Sequence, residues 1–417
     1  MNRIFKSTKS FFINDYLLIF KFVKKKDFLF LVTLLLFFIY ISLFVGTPRI
    51  PFNYIYNAVF ALMVVLITIF VLKRKAFRFD SFVLFWLLFL VVVYAYTFAN
   101  GLYKTAPLAE AVVAIFVFEL FQACDEDQKK LLLRSVYFGF LVLLVQAVFR
   151  YTIPLIKIRN DSAFDDYFGN LDGFSNNLAI LTIFGFYFFT KGDFFALVVG
   201  LISSIFALAT ERRTSYIILA VAFLALLYHL CSKKKGLFFF LSFLGIIAAV
   251  VGLFFVPVFS GLRNRLLQSF IGLDGSYSDP SAMERINMNI RGVVYAFGNL
   301  FRGFGYEGFT RYSGTGDHNT FGDLAVAYGG LYALLASFYF FFVLFKLLDT
   351  KGEDYFLCFS LSFCLLILYP LGAIFVTRNY CYIFALAYSA SPFAHRDPLS
   401  DLKRHLSWCC EPKSRNL

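Results

Sequence analysis

Six arginines and no lysine occupy the polar stretch Ser260–Asp317: Arg263, Arg265, Arg285, Arg291, Arg302 and Arg311. The stretch closes on Asp317-His318-Asn319, just before hydrophobic sequence resumes. A guanidinium is a planar fork that holds phosphate or carboxylate through two parallel hydrogen bonds. A histidine titrates close to neutrality and can take a proton from a hydroxyl. Together these groups suit transfer from a diphosphate-linked donor to a hydroxyl acceptor. The arginines would stabilise the departing diphosphate, and His318 would serve as the base. Each residue alone also has a plain structural reading: arginines snorkel at helix ends, and a histidine can cap a helix or sit at an interface.

Three further clusters stand outside that stretch. Thr210-Glu211-Arg212-Arg213-Thr214 is a tight turn between two apolar runs, and two arginines so placed need polar partners. The segment Arg150–Asp172 carries Asp165-Asp166, which reads as a solvated acidic loop more readily than as a cation site. It leads into Asn176-Asn177 at the start of an apolar run. Glu110 and Glu119 lie within another such run, where they suit either proton coupling in a transporter or partners such as Arg134 or Arg150. The sequence has no phosphate-binding glycine loop, dinucleotide fingerprint, zinc spacing or Ser-His-Asp order, so no cofactor and no metal is expected.

The elements that position these residues are membrane helices. Of 417 residues, 60% are hydrophobic and 21% aromatic, a composition that excludes an ordinary soluble domain. Runs of roughly spanning length fall at Phe28–Val45, Asn53–Leu72, Ser81–Ala99, Thr105–Ala123, Leu131–Thr152 and Gly173–Thr190. Others follow at Phe194–Ala209, Thr214–Cys231, Leu237–Phe259, Thr320–Phe345, Tyr355–Phe375 and Asn379–Phe393. The fold class is therefore an all-α polytopic membrane protein with about 12 transmembrane helices. The expected organisation is a basic N-terminus over 1–27, nine spans over 28–259, a polar loop over 260–319, three spans over 320–394 and a tail over 395–417. The N-terminus lacks the small-residue pattern of a cleaved signal.

The +13 net charge follows topology rather than nucleic-acid binding. With the N-terminus inside, inner segments carry 18 Lys and 7 Arg, and outer segments carry 12 Arg and only Lys104 and Lys157. The excess of positive charge inside sets the N-in, C-in orientation. It gives no reason for arginine rather than lysine on the outside, which favours an outward-facing polyanion site. His318 is the one histidine expected there, and none of the seven cysteines falls in an outer loop. Within the polar loop, Pro280-Ser281-Ala282-Met283-Glu284 has the form of a capping box. Ile286, Ile290, Val293, Val294, Phe297 and Leu300 then recur at helical spacing. They predict an amphipathic helix of about five turns, lying on the outer membrane surface or capping the bundle.

With these residues in place, the chain resembles the bacterial O-antigen ligase and O-antigen polymerase superfamily. Arg212-Arg213-Thr214-Ser215 is similar to that family's Ser-Arg-Gly hairpin, with Arg213 the better match. Arg285, followed by Gly303-Phe304-Gly305-Tyr306-Glu307-Gly308-Phe309, resembles its arginine helix and Gly-x-Gly-x-x-x-Phe turn. His318-Asn319 with Gly329 resembles its His-Asn helix start, and Asn177-Leu178-Ala179 a further motif. Ala327 stands where many members carry Glu, Leu300 where Pro is frequent, and Arg212 where Ser is usual. The resemblance implies a metal-independent inner-membrane glycosyltransferase acting on an undecaprenyl-diphosphate-linked oligosaccharide at its periplasmic face. Arg213, Arg285 and His318 would be catalytic, and Arg212, Arg291, Asn319, Asn177 and Arg302 would bind substrate. The acceptor is a second glycan in a polymerase, lipid A-core in a ligase, or a protein hydroxyl. The reading leans to a surface-polysaccharide polymerase, with membrane lipid and a chain-length regulator as partners. A lipid-linked glycan flippase using Glu110 and Glu119 is the alternative from another class.

Overall fold

The computed structural model describes residues 15–46, 53–100, 106–150, 171–209, 213–231, 280–306, 319–348, 354–370 and 378–390, with isolated positions elsewhere between 236 and 312. Every described element is a helix. After a short helix over residues 15–24, here α1, come α2 (Phe28–Gly46), α3 (Asn53–Arg74), α4 (Ser81–Ala99), α5 (Ala106–Ala123) and α6 (Glu126–Arg150). They are followed by α7 (Leu171–Thr190), α8 (Phe194–Ala209), α9 (Arg213–Leu230) and α10 (Pro280–Gly298). The last four are α11 (Thr320–Tyr328), α12 (Gly330–Leu348), α13 (Tyr355–Leu368) and α14 (Arg378–Ser389). Helices α4 and α8 match the apolar runs residue for residue. The predicted span Leu237–Phe259 lies almost wholly outside the described residues.

Among the described residues the chain is all-α, with helices apolar enough to cross a membrane. Ile55–Arg74, Ser81–Ala99 and Gly330–Leu348 are long enough by themselves, and five shorter apolar helices accompany them. Large apolar side chains stand exposed along them, among them Val91, Leu335 and Phe338. Lipid solvates such side chains as well as a protein core does. One expected span is corrected: Thr320–Phe345 is two helices, α11 and α12, because Gly329 adopts φ +91° between them. That conformation is open to glycine and closed to most other residues.

Inside the bundle α5 packs on α3, α4 and α14, α2 packs on α3 and α6, and α7 packs on α6, α8, α9 and α13. Aromatic rings fill the centre: Phe82 stacks on Tyr388 at 4.7 Å, and Phe85 on Tyr339 at 4.4 Å. Where α7 crosses α8 the backbones nearly touch. A Cβ on Gly185 would lie 2.7 Å from the Ala196 carbonyl oxygen. Thr182 and Ser203 hydrogen-bond across the same crossing at 2.9 Å. Small residues with a buried hydroxyl pair are a usual way to join helices in lipid.

Charge collects at one end of the bundle. Arg74, at the end of α3, donates to Asp27, to the Gln128 side chain and to the Ala123 carbonyl. Asp125 and Gln128 cap α6 reciprocally, each accepting the other's backbone N–H. Arg134, on α6, is almost fully buried and bridges Asp15 at 2.8 Å and Asp193 at 2.9 Å. Burial raises the Asp15 carboxyl above its ordinary value, against the lowering effect of Arg134. Asp193 also caps α8 through the Ala196 N–H. Lys191 and Tyr187, at the end of α7, hold Asp354 at the start of α13. Arg134 is thus committed to aspartates and not to Glu110 or Glu119, contrary to one sequence expectation.

Removing one partner of a buried ion pair strands the other and costs about 3–5 kcal/mol. Arg134→Ala, which strands the fully buried Asp193, is therefore expected to lower thermal stability in detergent by about that amount, measured by chemical or heat unfolding. An exposed-face change such as Glu126→Ala should leave it nearly unchanged.

Candidate functional site

The opposite end of the bundle is built around the break at Gly329. The end of a helix leaves carbonyls without partners, and the start of the next leaves N–H groups without partners. Lipid offers no water to satisfy them. Here the segment after α10 does so. The Phe304 N–H donates to the Val326 carbonyl at 2.9 Å and the Gly305 N–H to that of Ala327 at 2.8 Å. In return the Gly330 N–H donates to the Asn299 carbonyl and the Leu331 N–H to that of Leu300, each at 3.0 Å.

Close backbone approach explains the glycines of this motif. A Cβ on Gly303 would lie 2.3 Å from the Ala327 carbonyl oxygen, and one on Gly308 would lie 2.9 Å from the Ala327 Cα. A Cβ on Gly330 would lie 1.9 Å from the Ala296 carbonyl oxygen. Gly305 takes φ +80°. The two stretches singled out in the sequence, Gly303–Gly308 and Asn319–Gly329, are thereby brought into direct backbone contact. Residues without any motif signal hold the same loop: the Tyr96 hydroxyl donates to the Phe301 carbonyl at 2.6 Å, and the Asn100 amide to that of Gly303 at 3.3 Å. Both come from the end of α4, and only their polar groups at the close of an apolar run could have marked them.

Helix α10 forms at the expected place and length. Its buried stripe, Met288, Gly292, Tyr295 and Ala296, faces α11 and α12. Its apolar stripe, Ile290, Val293, Val294 and Phe297, points the other way and is exposed. The helix therefore both packs on the bundle and presents an apolar face outward. It docks through small and aromatic residues rather than through its most hydrophobic side. Burial raises the Tyr295 phenol above its ordinary value, and its hydroxyl donates to the Arg302 carbonyl at 3.2 Å.

Of the expected site residues, His318 and Arg212 lie outside the described residues. Arg213 opens α9, and Arg285 lies on α10 at a register position shared with Gly292 and Ala296; their side chains are not described. Arg291 and Arg302 are exposed. Asn319 is buried and serves as the N-cap of α11, its side chain accepting from the Phe321 N–H at 3.0 Å. Asn177 is buried in the second turn of α7, and its neighbour Asn176 accepts from the Thr214 hydroxyl at 2.9 Å. That bond ties the residue after Arg213 to the asparagine pair.

Helix α13 relates the two halves. Its first residues meet the far ends of α7 and α9, through Asp354 with Tyr187 and Phe356 with His229. It therefore runs antiparallel to both, and its last residue reaches the level of their first turns. There the Tyr369 carbonyl accepts the Thr320 N–H at 3.1 Å. The starts of α7, α9 and α11 share one end of the bundle, away from the ion pairs. Glu110 and Glu119 are both buried but stand about 14 Å apart along α5 at 1.5 Å per residue, so they are not one site. Glu119 accepts the Arg78 backbone N–H at 3.3 Å. No protein-family model and no curated protein matches the chain.

Gly303→Ala is expected to loosen the loop by about 1–3 kcal/mol through overpacking, read as faster hydrogen exchange at Phe304 and Gly305. Gly298→Ala, where a Cβ meets nothing within 4 Å, should leave that exchange unchanged.

Proposed function

We propose that the chain is a membrane glycosyltransferase that moves an undecaprenyl-diphosphate-linked glycan to a hydroxyl acceptor, as a surface-polysaccharide polymerase. The observation that carries this reading is the joining of the Gly303–Gly308 turn to the Asn319–Gly329 helix at the Gly329 break. These are two of the motifs on which the resemblance rests, and their backbones meet there. The arginine-only composition of the surrounding loop and the shared end of α7, α9 and α11 support it further. The inner-membrane, N-in and C-in placement rests on the lysine bias, and the ion-paired end of the bundle coincides with the segments that bias puts inside.

In this reading Arg213 and Arg285 hold the two phosphates, with Arg212, Arg291 and Arg302 adding positive charge nearby. His318 takes the proton of the acceptor hydroxyl as its oxygen attacks the anomeric carbon. The glycosidic bond forms, the bond from that carbon to the diphosphate oxygen breaks, and undecaprenyl diphosphate leaves with the electron pair. Guanidinium groups fixed before reaction stabilise the charge that gathers on the leaving group. Asn319 and Asn177 order the starts of the two helices that carry the neighbouring functional residues.

A general base contributes about 10²–10⁴-fold to rate, and one preorganised donor to developing charge about 10²–10³-fold. His318→Ala and Arg285→Ala, at normal membrane abundance, are expected to lose glycan transfer by those factors in a reconstituted assay with lipid-linked repeats. Retained transfer would sink the assignment. In a deletion strain, a single repeat on core identifies a polymerase. Bare core, with polymer left on the lipid carrier, identifies a ligase.

A further inference from the structure

A groove of about 630 Å³ runs between α2 and α6, with α1 at its mouth. Its walls are apolar, among them Leu34, Phe38, Phe138, Leu141 and Val142. Its polar residues, Asp15, Arg134 and Ser135, all belong to one end. On α6 the lining extends from Leu131 to Val145, about 21 Å at 1.5 Å per residue. Half of a bilayer's hydrocarbon core is about 15 Å deep. The groove thus begins at the charged end of the bundle and runs the depth of roughly one leaflet. Leu35 and Val145 on its walls are exposed, so it opens sideways toward lipid.

The mouth favours one kind of lipid. Helix α1 exposes Tyr16, Leu17, Ile19, Phe20 and Val23 and ends in exposed Lys24, Lys25 and Lys26, the pattern of a helix lying in a membrane interface. Exposed Lys130 stands one turn before Arg134 on α6. Arg134 itself is neutralised by Asp15 and Asp193, so the charge offered to a ligand comes from the lysines. Basic segments at the inner surface attract anionic headgroups at about 1 kcal/mol per residue.

We infer that this groove holds one acyl chain of an anionic glycerophospholipid from the leaflet in which α1 lies, with the phosphate at the lysine-rich mouth. The bound chain fills the space between α2 and α6 and fixes α1 across the end of the bundle. The site is separate from the arginine-bearing end and independent of the transfer reaction.

The test uses the full chain in nanodiscs with phosphatidylglycerol or phosphatidylcholine carrying the same photoreactive acyl chain, and maps crosslinks by peptide mass spectrometry. Crosslinks are expected on α2 and α6 groove residues, at least fivefold stronger with phosphatidylglycerol. Val142→Trp, which fills the groove, should cut them at least fivefold. Val91→Trp on exposed α4 surface should not change them, and neither should His318→Ala. Replacing Lys24, Lys25, Lys26 and Lys130 together by Ala should bring the two lipids to within about twofold of each other. Equal labelling by both lipids in the parent chain, or labelling unmoved by Val142→Trp, overturns the proposal. A photoreactive residue at position 142 that crosslinks to residues 1–14 also overturns it, by showing that the chain fills its own groove. Should Val142→Trp fail to fold, the mapped position of the parent crosslink decides: sites outside α1, α2 and α6 reject the groove.

Discussion

Four backbone groups at the Gly329 break govern the end of the molecule that carries the candidate site. The break between the short helix α11 and the span α12 leaves the Val326 and Ala327 carbonyls and the Gly330 and Leu331 N–H groups without helical partners. Each buried orphan costs free energy comparable to a lost hydrogen bond. The stretch 299–305 answers all four. For that to happen it must lie against the break, which sets where α10 ends, which faces of α10 and α12 meet, and why Gly303 and Gly330 tolerate no Cβ. The start of α11 is then fixed from below by the Tyr369 carbonyl at the tip of α13. The loop is in this way made part of the bundle rather than left as an appendage.

The two ends of the bundle solve different electrostatic problems. At one, carboxylates and cations neutralise one another: Arg74 with Asp27, Arg134 with Asp15 and Asp193, Lys191 with Asp354. These pairs join helices far apart in sequence, and the reciprocal cap at Asp125 and Gln128 feeds the same network. At the other end the described arginines, Arg291 and Arg302, are exposed, and the order there comes from backbone bonds and side-chain caps. Exposed cations of this kind remain available to an anion in solution.

Much of the helical frame was legible in the sequence, because hydropathy reports directly on residence in lipid. The bounds of α4 and α8 agree to the residue, and α10 appears where its periodicity placed it. What was hidden has physical reasons. The break at Gly329 lies inside an unbroken apolar run, and hydropathy is blind to a positive φ. The orientation of α10 was open because an apolar stripe fits lipid as well as protein. The face that docks is marked instead by the small residues Gly292 and Ala296, of which Ala296 comes close to Gly330. The partner of Arg134 was misjudged because Asp193 reads as a mere turn residue, 59 positions away. At the candidate site, the glycines and Asn319 were readable by type, whereas Tyr96 and Asn100 are marked only by polar groups at the close of an apolar run.

The two-sided character of α10 carries a mechanical implication. Its buried stripe is locked to α11 and α12, and its outward stripe of Ile290, Val293, Val294 and Phe297 seeks hydrocarbon. A helix so constrained cannot rise from the bilayer without tearing from the bundle, nor sink without drawing the bundle with it. It works as a float rigidly coupled to a frame, holding the Gly303–Gly308 loop at a constant level relative to the bilayer. Any lipid-borne headgroup arriving there would meet the loop at the level set by its own tail. Reach along the membrane normal would then be a fixed dimension of the protein.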